Sequence, residues 1–479
     1  MAYRYGDRYQ MELMPQSIEE YVSKDNPVRA YDAFVEALNF RELGIELNPG
    51  KVGNSEYDPV SMFKLLVYGY SYGVKSSRKL ERECHHNIAF IWLMGGLKPD
   101  HKTIAEFRRK NKSALRKVLR QSALVCIDLN LITGNVLFVD GTKIRANASR
   151  SKSYQRKYYQ RLLRELDERV DQLLRDCETA DRREEGMGSY VTMDQELSKT
   201  QTLKERIKEI LDINKDVVNQ TDPDCAIMHS PQGNHASHNV QIVVDDENGL
   251  ILNAEAVGDT NDSKQFARQI DQANEILPTP CQTACADAGY ANTQELVKID
   301  QQNIKVVVPT QRQALHEEPR PFGKDCFTYD AKQDCYICPE GHKLRYSHTY
   351  TVNRRRQYRM EDKKHCHNCK HYGECTTSER GRNLVRLPNE ETKEKLEAQY
   401  LETASQEIYA RRKMRVEHPF GHIKRNLKTD AFLLRGRKGV QAETSILATC
   451  FNIARMITIF GVDVLINKLR FRTSARACC

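Results

Sequence analysis

Three acidic residues occupy positions where a carboxylate can do more than solvate a surface. In NVLFVDGTKIRANAS, Asn135 to Ser149, Asp140 follows directly on the apolar run Val136–Val139, and Gly141-Thr142 read as the opening of a turn. A carboxylate beside a core strand costs several kcal/mol unless a charge or a metal compensates it. QTACADAGYAN repeats the arrangement, with a short strand, Asp287, small residues and Gly289. EIYARRKMRVEHPFGHIKRN reads as a helix that carries Glu417. Carboxylates at neighbouring strand ends converge on one sheet edge, and a packed helix can aim a third at the same place. Such a trio repels itself unless cations sit within it. Two Mg²⁺ (or Mn²⁺) ions about 3.5–4 Å apart would activate a water or a 3′-hydroxyl and stabilise the leaving oxygen of a phosphodiester. A lone strand-end aspartate is more often a turn cap; three in the right elements favour the metal pair.

A second set of residues offers sulfur. Cys335-Tyr-Ile-Cys338 and Cys366-His-Asn-Cys369 are two CxxC pairs, with Cys375 and Cys326 nearby, and Pro339-Glu340-Gly341 supplies a knuckle turn. Four thiolates in two such knuckles suit tetrahedral Zn²⁺, so Cys335, Cys338, Cys366 and Cys369 are the expected ligands. The competing reading is an insertion whose cysteines no longer bind metal. A structural role is expected, with Arg354, Arg355 and Arg356 toward DNA. His418 and His422 stand at i, i+4, but HPFGH lacks the general base of a metalloprotease HExxH. Cys84-His85-His86 and Cys478-Cys479 have no partners at ligand spacing. Asp222 and Asp224 in QTDPDCAIM read as turn formers.

The elements that must position these groups change texture along the chain. SSRKLERECHHNIAFIWLMGG stops at Gly95-Gly96, and LKPDHKTIAEFRRKNKSALRKVLRQSALVCIDL restarts behind Pro99-Asp100, an N-cap signal. The second helix is basic; Arg108, Arg109 and Lys112 fit either a solvated face or a helix-turn-helix-like contact with DNA. Residues 152–216 keep a heptad-like stripe through Leu162, Leu163, Leu166, Val170, Leu173 and Leu174, which predicts an antiparallel helical hairpin broken near Gly186 and Gly188. HNVQIVVD and LILNAEAV form a strand hairpin, DSKQFARQIDQANEIL an amphipathic helix, and IKVVVP a last buried strand. Val440–Ile459 is a strongly apolar helix.

With the insertions set aside, the order is three strands, helix, strand, helix, strand, helix. That is the order of an α/β ribonuclease H-like mixed sheet. The expected domains are a helical DNA-binding segment at 1–130, the core at 131–310 and 401–465, the hairpin at 152–216, a small zinc-ribbon-like insertion at 311–400 and a basic tail at 466–479.

Bulk composition sets the frame. The 479 residues are 39% hydrophobic and 29% charged, which excludes wholesale disorder. A net charge of +9 favours a polyanionic partner. MAYRYGDRYQMELMPQ lacks the apolar core of a signal peptide, and no run approaches the roughly 20 apolar residues of a membrane span. A cytoplasmic protein without a membrane role is expected, so the 15 cysteines read as thiols or metal ligands.

The motifs together resemble the prokaryotic insertion-sequence transposases with a DDE triad, over nearly the whole chain. FVDGTKIRANAS is similar to their first-Asp motif, ADAGYAN to the second and VEHPFGHIKRN to the Glu motif; residues 57–108 resemble their InsH-like N-terminal domain. The resemblance implies Asp140, Asp287 and Glu417 as catalytic metal ligands and Lys424, seven residues after Glu417, as a contact to DNA phosphate. The family commonly has Tyr and Arg seven and four residues before its Glu. Here Ala410 and Lys413 hold those places, with Tyr409 and Arg412 one residue early. The implied activity is cutting and joining the ends of the chain's own mobile element, on double-stranded DNA and as a homodimer. The alternatives are a nuclease on the same core that hydrolyses without strand transfer, and a non-catalytic DNA-binding descendant.

Overall fold

Asn26, Asn39, Asp58, Asn87 and Asp100 each stand one residue before a helix and accept a backbone N–H of its first turn. These caps divide the N-terminal segment into α1 (Pro27–Glu36), α2 (Phe40–Leu43), α3 (Pro59–Ser71), α4 (Ser77–His86), α5 (Ile88–Leu93), α6 (His101–Lys110) and α7 (Lys112–Asp128). The computed structural model describes residues 17–47, 56–183, 187–213, 215–230, 233–318, 321–351 and 354–477. The N-terminal stretch 1–16, the break at Gly186 and the pair Cys478-Cys479 lie outside them.

The run behind Asp140 forms β1 (Val136–Arg145), which does not stop at the aspartate but continues through five more residues. Next come β2 (Ser153–Gln155), the paired helices α8 (Arg156–Arg183) and α9 (Met187–Asp212), and β3 (Val217–Asn219). β2 and β3 pair antiparallel and close the base of the expected hairpin, with Tyr159, Ile207, Ile210 and Val218 as its core. β4 (Ala226–Ser230), β5 (Gly233–Asp245) and β6 (Ile251–Val257) follow. β5 pairs antiparallel with β1 on one side and with β4 and β6 on the other. After α10 (Phe266–Asn274) come β7 (Thr283–Cys285), α11 (Thr293–Asp300) and β8 (Lys305–Val307), and β7 pairs parallel with β8.

The cysteine insertion starts at α12 (Gln311–Ala314) and builds β9 (Thr328–Asp330), β10 (Cys335–Ile337), β11 (Lys343–Thr349), β12 (Arg356–Met360), α13 (Lys363–His367) and β13 (Asn383–Arg386). Its antiparallel sheet has the order β13-β12-β11-β10-β9, over a core of Phe327, Tyr336, Leu344, Tyr358, Met360 and Leu384. The chain ends with α14 (Glu390–Tyr400), α15 (Thr403–Gly421), α16 (Gly436–Phe460) and α17 (Val462–Ala477).

α16 organises the first of two compact units, which comprises 1–261, 272–280 and 414–479. It packs on α7 and on β6. Its amide side chains satisfy a strand edge that would otherwise be bare: Asn452 donates to Ile251 O and accepts Ile251 N, while Gln441 does the same for Ala254 O and Ala256 N. The N-terminal helices share this unit with β1, β5 and β6. The expected basic tail is helical: in α17, Leu465 and Leu469 are buried and Arg472 donates to Ala37 O and pairs with Asp128. The second unit holds 262–271 and 281–413, that is β7, β8 and the cysteine insertion together. The core is thus a mixed α/β arrangement. Among the described residues no single helix is long and apolar enough to cross a membrane.

Candidate functional site

Asp140 lies in the middle of β1, half-buried and opposite Ile242 of β5. The expectation of a strand end fails because the side-chain alternation continues. Phe138, Asp140, Thr142 and Ile144 share one face of the strand, and Gly141 pairs with Gln241 in place of forming a turn. The Gly141 N–H donates to Asp140 Oδ1 at 2.8 Å.

Phe420, near the end of α15, and Ile423 just beyond it pack toward that face. Ile144 and Ile242 share a cavity of about 10 Å³ with Phe420, Ile423 and Leu447. Two polar tethers flank this packing. Arg415 pairs with Asp246 at 3.2 Å, and the Asp246 N–H donates to Val136 O at the start of β1. Lys424 Nζ donates to Thr142 Oγ1 at 2.6 Å, two residues beyond Asp140. The tethers bracket Asp140 on the strand and Glu417 on the helix. Glu417 itself is exposed. Pro419 lies inside this helix, which reaches Gly421 before widening into a π turn at His422–Asn426. Lys424 belongs to that turn, so a count of α-helical turns does not describe its direction; the contact with Thr142 does. Burial pushes the Lys424 ammonium below the usual lysine range, against an upward pull from Asp430.

The π turn is held from a distant part of the chain. Lys75, in the loop between α3 and α4, donates to Thr429 Oγ1 at 2.6 Å, and the Thr429 N–H donates to the carbonyls of Ile423 and Lys424. Gly73, at φ +71°, lies against the Lys428 side chain, which a Cβ there would meet at 3.1 Å. Just beyond, buried Glu443 accepts the N–H groups of Leu433 and Leu434; burial raises its carboxyl, with those amides and Lys75 opposing. Sequence reasoning missed Lys75 and Glu443, whose partners are too remote for any local pattern. Thr142 was legible as the next residue on Asp140's face.

Asp287 belongs to the other unit. It stands two residues past β7 and caps a short 3₁₀ turn through a bond from the Gly289 N–H at 2.8 Å. Tyr409 on α15 lies in its field: burial raises the Tyr409 hydroxyl, Arg412 lowers it and Asp287 raises it. The Arg412 guanidinium is 5.5 Å from the centre of the Tyr409 ring. Tyr409, one residue out of register with the motif, thus feels the charge of Asp287, and Arg412 packs on the Tyr409 ring.

The expected DNA contacts on α6 and α7 divide. Arg108 is 5% exposed, donates to Lys75 O at 2.7 Å and lies over the Tyr70 ring. A phosphate cannot reach it, so its assignment to DNA is corrected to a packing role. Arg109 is exposed but meets Glu106 through two bonds of 2.7 and 2.6 Å. Lys112 opens α7, half-exposed. Asp222 and Asp224 are more than turn formers. Asp222 is fully buried against His238 at 3.0 Å, and the two aspartates accept the Gly436 and Arg437 N–H groups at the start of α16.

In the cysteine insertion, Cys338, Cys366, Cys369 and Cys375 line one cavity, and Cys335 does not. Cys335 and Tyr336 are neighbours on β10 and face opposite sides; Tyr336 is the one that packs into the core with Cys366. Among the described residues no three His, Cys, Asp or Glu side chains are gathered as a ready metal site.

Two family models match the chain: one described as Transposase domain (DUF772) at residues 16–110, the other as Transposase DDE domain at residues 337–457. Both matches support an insertion-sequence DDE transposase. In this transposase the first model covers Lys75 and Arg108, and the second covers Glu417, Lys424 and the four cysteines of the cavity. The family is one of metal-dependent polynucleotidyl transferases. No curated protein matches the chain. One similar solved structure is a cryo-EM structure of the piggyBac transposase synaptic complex with hairpin DNA, at 9% identity and TM-score 0.35, covering 94% of this chain and 79% of that one.

Proposed function

We propose that Asp140, Asp287 and Glu417 are the metal-holding triad of this transposase, and that it cuts the ends of its own insertion sequence and joins them to target DNA. The observation that carries the reading is the pair of tethers, Arg415 to Asp246 and Lys424 to Thr142, which lay the helix of Glu417 along the strand of Asp140. The antiparallel run β6-β5-β1 and the parallel pair β7-β8 support a ribonuclease H-like reading of the core.

The donor chemistry fits a hard divalent cation, since carboxylate oxygens are the ligands Mg²⁺ and Mn²⁺ prefer. When bound, two such ions would activate a water or 3′-hydroxyl and offset the charge on the leaving oxygen. The chain's own groups do the positioning. Thr142 Oγ1 holds the Lys424 ammonium beside Asp140, where it meets a DNA phosphate near the scissile bond. The Gly289 N–H holds the Asp287 carboxylate, with Tyr409 within reach of its charge. Joining requires two element ends held together, which favours a homodimer on DNA.

The test uses duplex DNA carrying the element's terminal sequence with Mg²⁺, scored for nicking and for strand transfer. Wild-type protein is expected to do both. Asp140→Ala, Asp287→Ala and Glu417→Ala should each abolish both while end binding persists, because each removes a metal ligand and not a phosphate contact. A variant that cuts at near wild-type rate removes that residue from the triad, and nicking without any transfer product reduces the reading to a nuclease.

A further inference from the structure

We propose that Cys338, Cys366, Cys369 and Cys375, in place of the set read from the two CxxC spacings, form a structural Zn²⁺ site in the cysteine insertion. It goes beyond the catalytic reading and does not depend on it. The four side chains line a cavity of about 30 Å³ whose other walls include apolar Phe322, Phe327 and Met360. Backbone N–H groups already point at three of the sulfurs: His342 N at Cys338 Sγ, 3.3 Å, Arg382 N at Cys366 Sγ, 3.4 Å, and His371 N at Cys369 Sγ, 3.5 Å. Such N–H···S bonds are the contacts that orient ligand sulfurs around a bound metal. Four thiolates on Zn²⁺ leave a doubly negative group. Arg382 places its guanidinium beside it, donating to Cys375 O at 2.8 Å and Phe322 O at 2.9 Å.

The imidazoles around the same cavity have other partners. His371 Nε2 meets Glu340 at 3.2 Å, and the His342 and His365 rings stack with centres 4.0 Å apart. The four thiols are the matched soft donor set of the cavity. Their sulfurs are not gathered to bonding distance. Cys375 receives none of those three N–H bonds, and one step between its staggered χ1 rotamers carries the sulfur roughly 3 Å, a side-chain adjustment and not a refolding. Each thiol loses its proton to solvent as it binds. Soft thiolates select zinc over the hard cation that the carboxylates favour. The metal would clamp α13 and the Cys375 loop onto the β10–β11 hairpin, where the small aromatic core is the other support.

Full-length protein purified under reductant should carry about one zinc per chain by elemental analysis. Cys335→Ser and Asp140→Ala should keep that zinc, and Cys375→Ser should lose it at least tenfold. Wild-type protein grown or refilled with Co²⁺ should show the sulfur-to-cobalt charge-transfer absorption of a tetrahedral thiolate site, a measurement that needs no variant to fold. The proposal is overturned by wild-type protein without zinc, by a cobalt spectrum lacking the thiolate band, or by Cys335→Ser losing the metal while Cys375→Ser retains it. Loss of zinc in Asp140→Ala would move the ion to the carboxylates and also overturn it. The triad reading stands or falls separately, on DNA cleavage.

Discussion

Replacing Lys424 separates DNA binding from positioning on one side chain. Its ammonium is half-buried and bonded to Thr142 Oγ1 at 2.6 Å. If it neutralises one phosphate of duplex DNA, Lys424→Ala should lower the slope of log K against log salt by about 0.9. Over a fourfold rise in salt, from about 50 to about 200 mM, that is about a 3.5-fold smaller loss of affinity than wild type suffers. The loss of the neutral acceptor contact itself should cost the fold only about 1 kcal/mol. Thr142→Val keeps the shape and removes the acceptor, so the slope should persist while nicking slows. The assay is anisotropy with labelled end DNA at four salt concentrations, run beside a nicking time course. The pH arm has a definite sign. Burial depresses the Lys424 pKa, so as pH rises the cation is lost earlier than from an ordinary lysine, and the wild-type slope should begin to fall below the usual lysine range. Lys424→Arg should hold its slope across the same window. An unchanged slope in Lys424→Ala would show that the ammonium meets no phosphate and serves only to tie α15 to β1.

Three further outcomes follow from contacts elsewhere. Arg108→Ala should destabilise the protein by about 2 kcal/mol in urea unfolding, as expected for a buried hydrogen-bonded group, and leave the salt slope of DNA binding intact; a reduced slope would return Arg108 to the DNA surface. Asp222→Ala strips His238 and the first turn of α16 of a buried acceptor and should cost about 2–4 kcal/mol, so a loss below about 1 kcal/mol in the same unfolding measurement would discount that tie. Lys75→Met should slow nicking about tenfold with end affinity near wild type, and Lys75→Arg should recover most of the rate; equal losses of binding and rate in Lys75→Met would mean general damage in place of positioning.

The chemistry was easier to read from the residues than the backbone that carries it. Asp140 was conspicuous because a carboxylate ends an apolar run, yet Gly141-Thr142 suggested a turn that β5 overrides by pairing straight through it. Charge counting placed Arg108 on a DNA-facing surface, although Ile104 one turn earlier is fully buried on the same face of α6; periodicity carried the information that composition hid. The CxxC spacing selected Cys335 because it counts residues, whereas the pleat of β10 puts Cys335 and Tyr336, both buried, on opposite sides of the sheet. The packing of α7 on α16, more than 300 residues apart in the chain, was not legible at all, since no local pattern reports it.

The docking of Lys75, Gly73 and Arg108 near the segment 427–434 has an evolutionary meaning. A recombination event that replaced only the N-terminal third of the gene would deliver a loop cut for a different Thr429 and Lys428, and the π turn beyond would lose its footing. The N-terminal helices and the segment around the π turn are therefore inherited as a matched pair. A working chimera between two such enzymes has to exchange residues 17–130 and 427–443 together, so hybrids with one crossover should be dead far more often than hybrids with two.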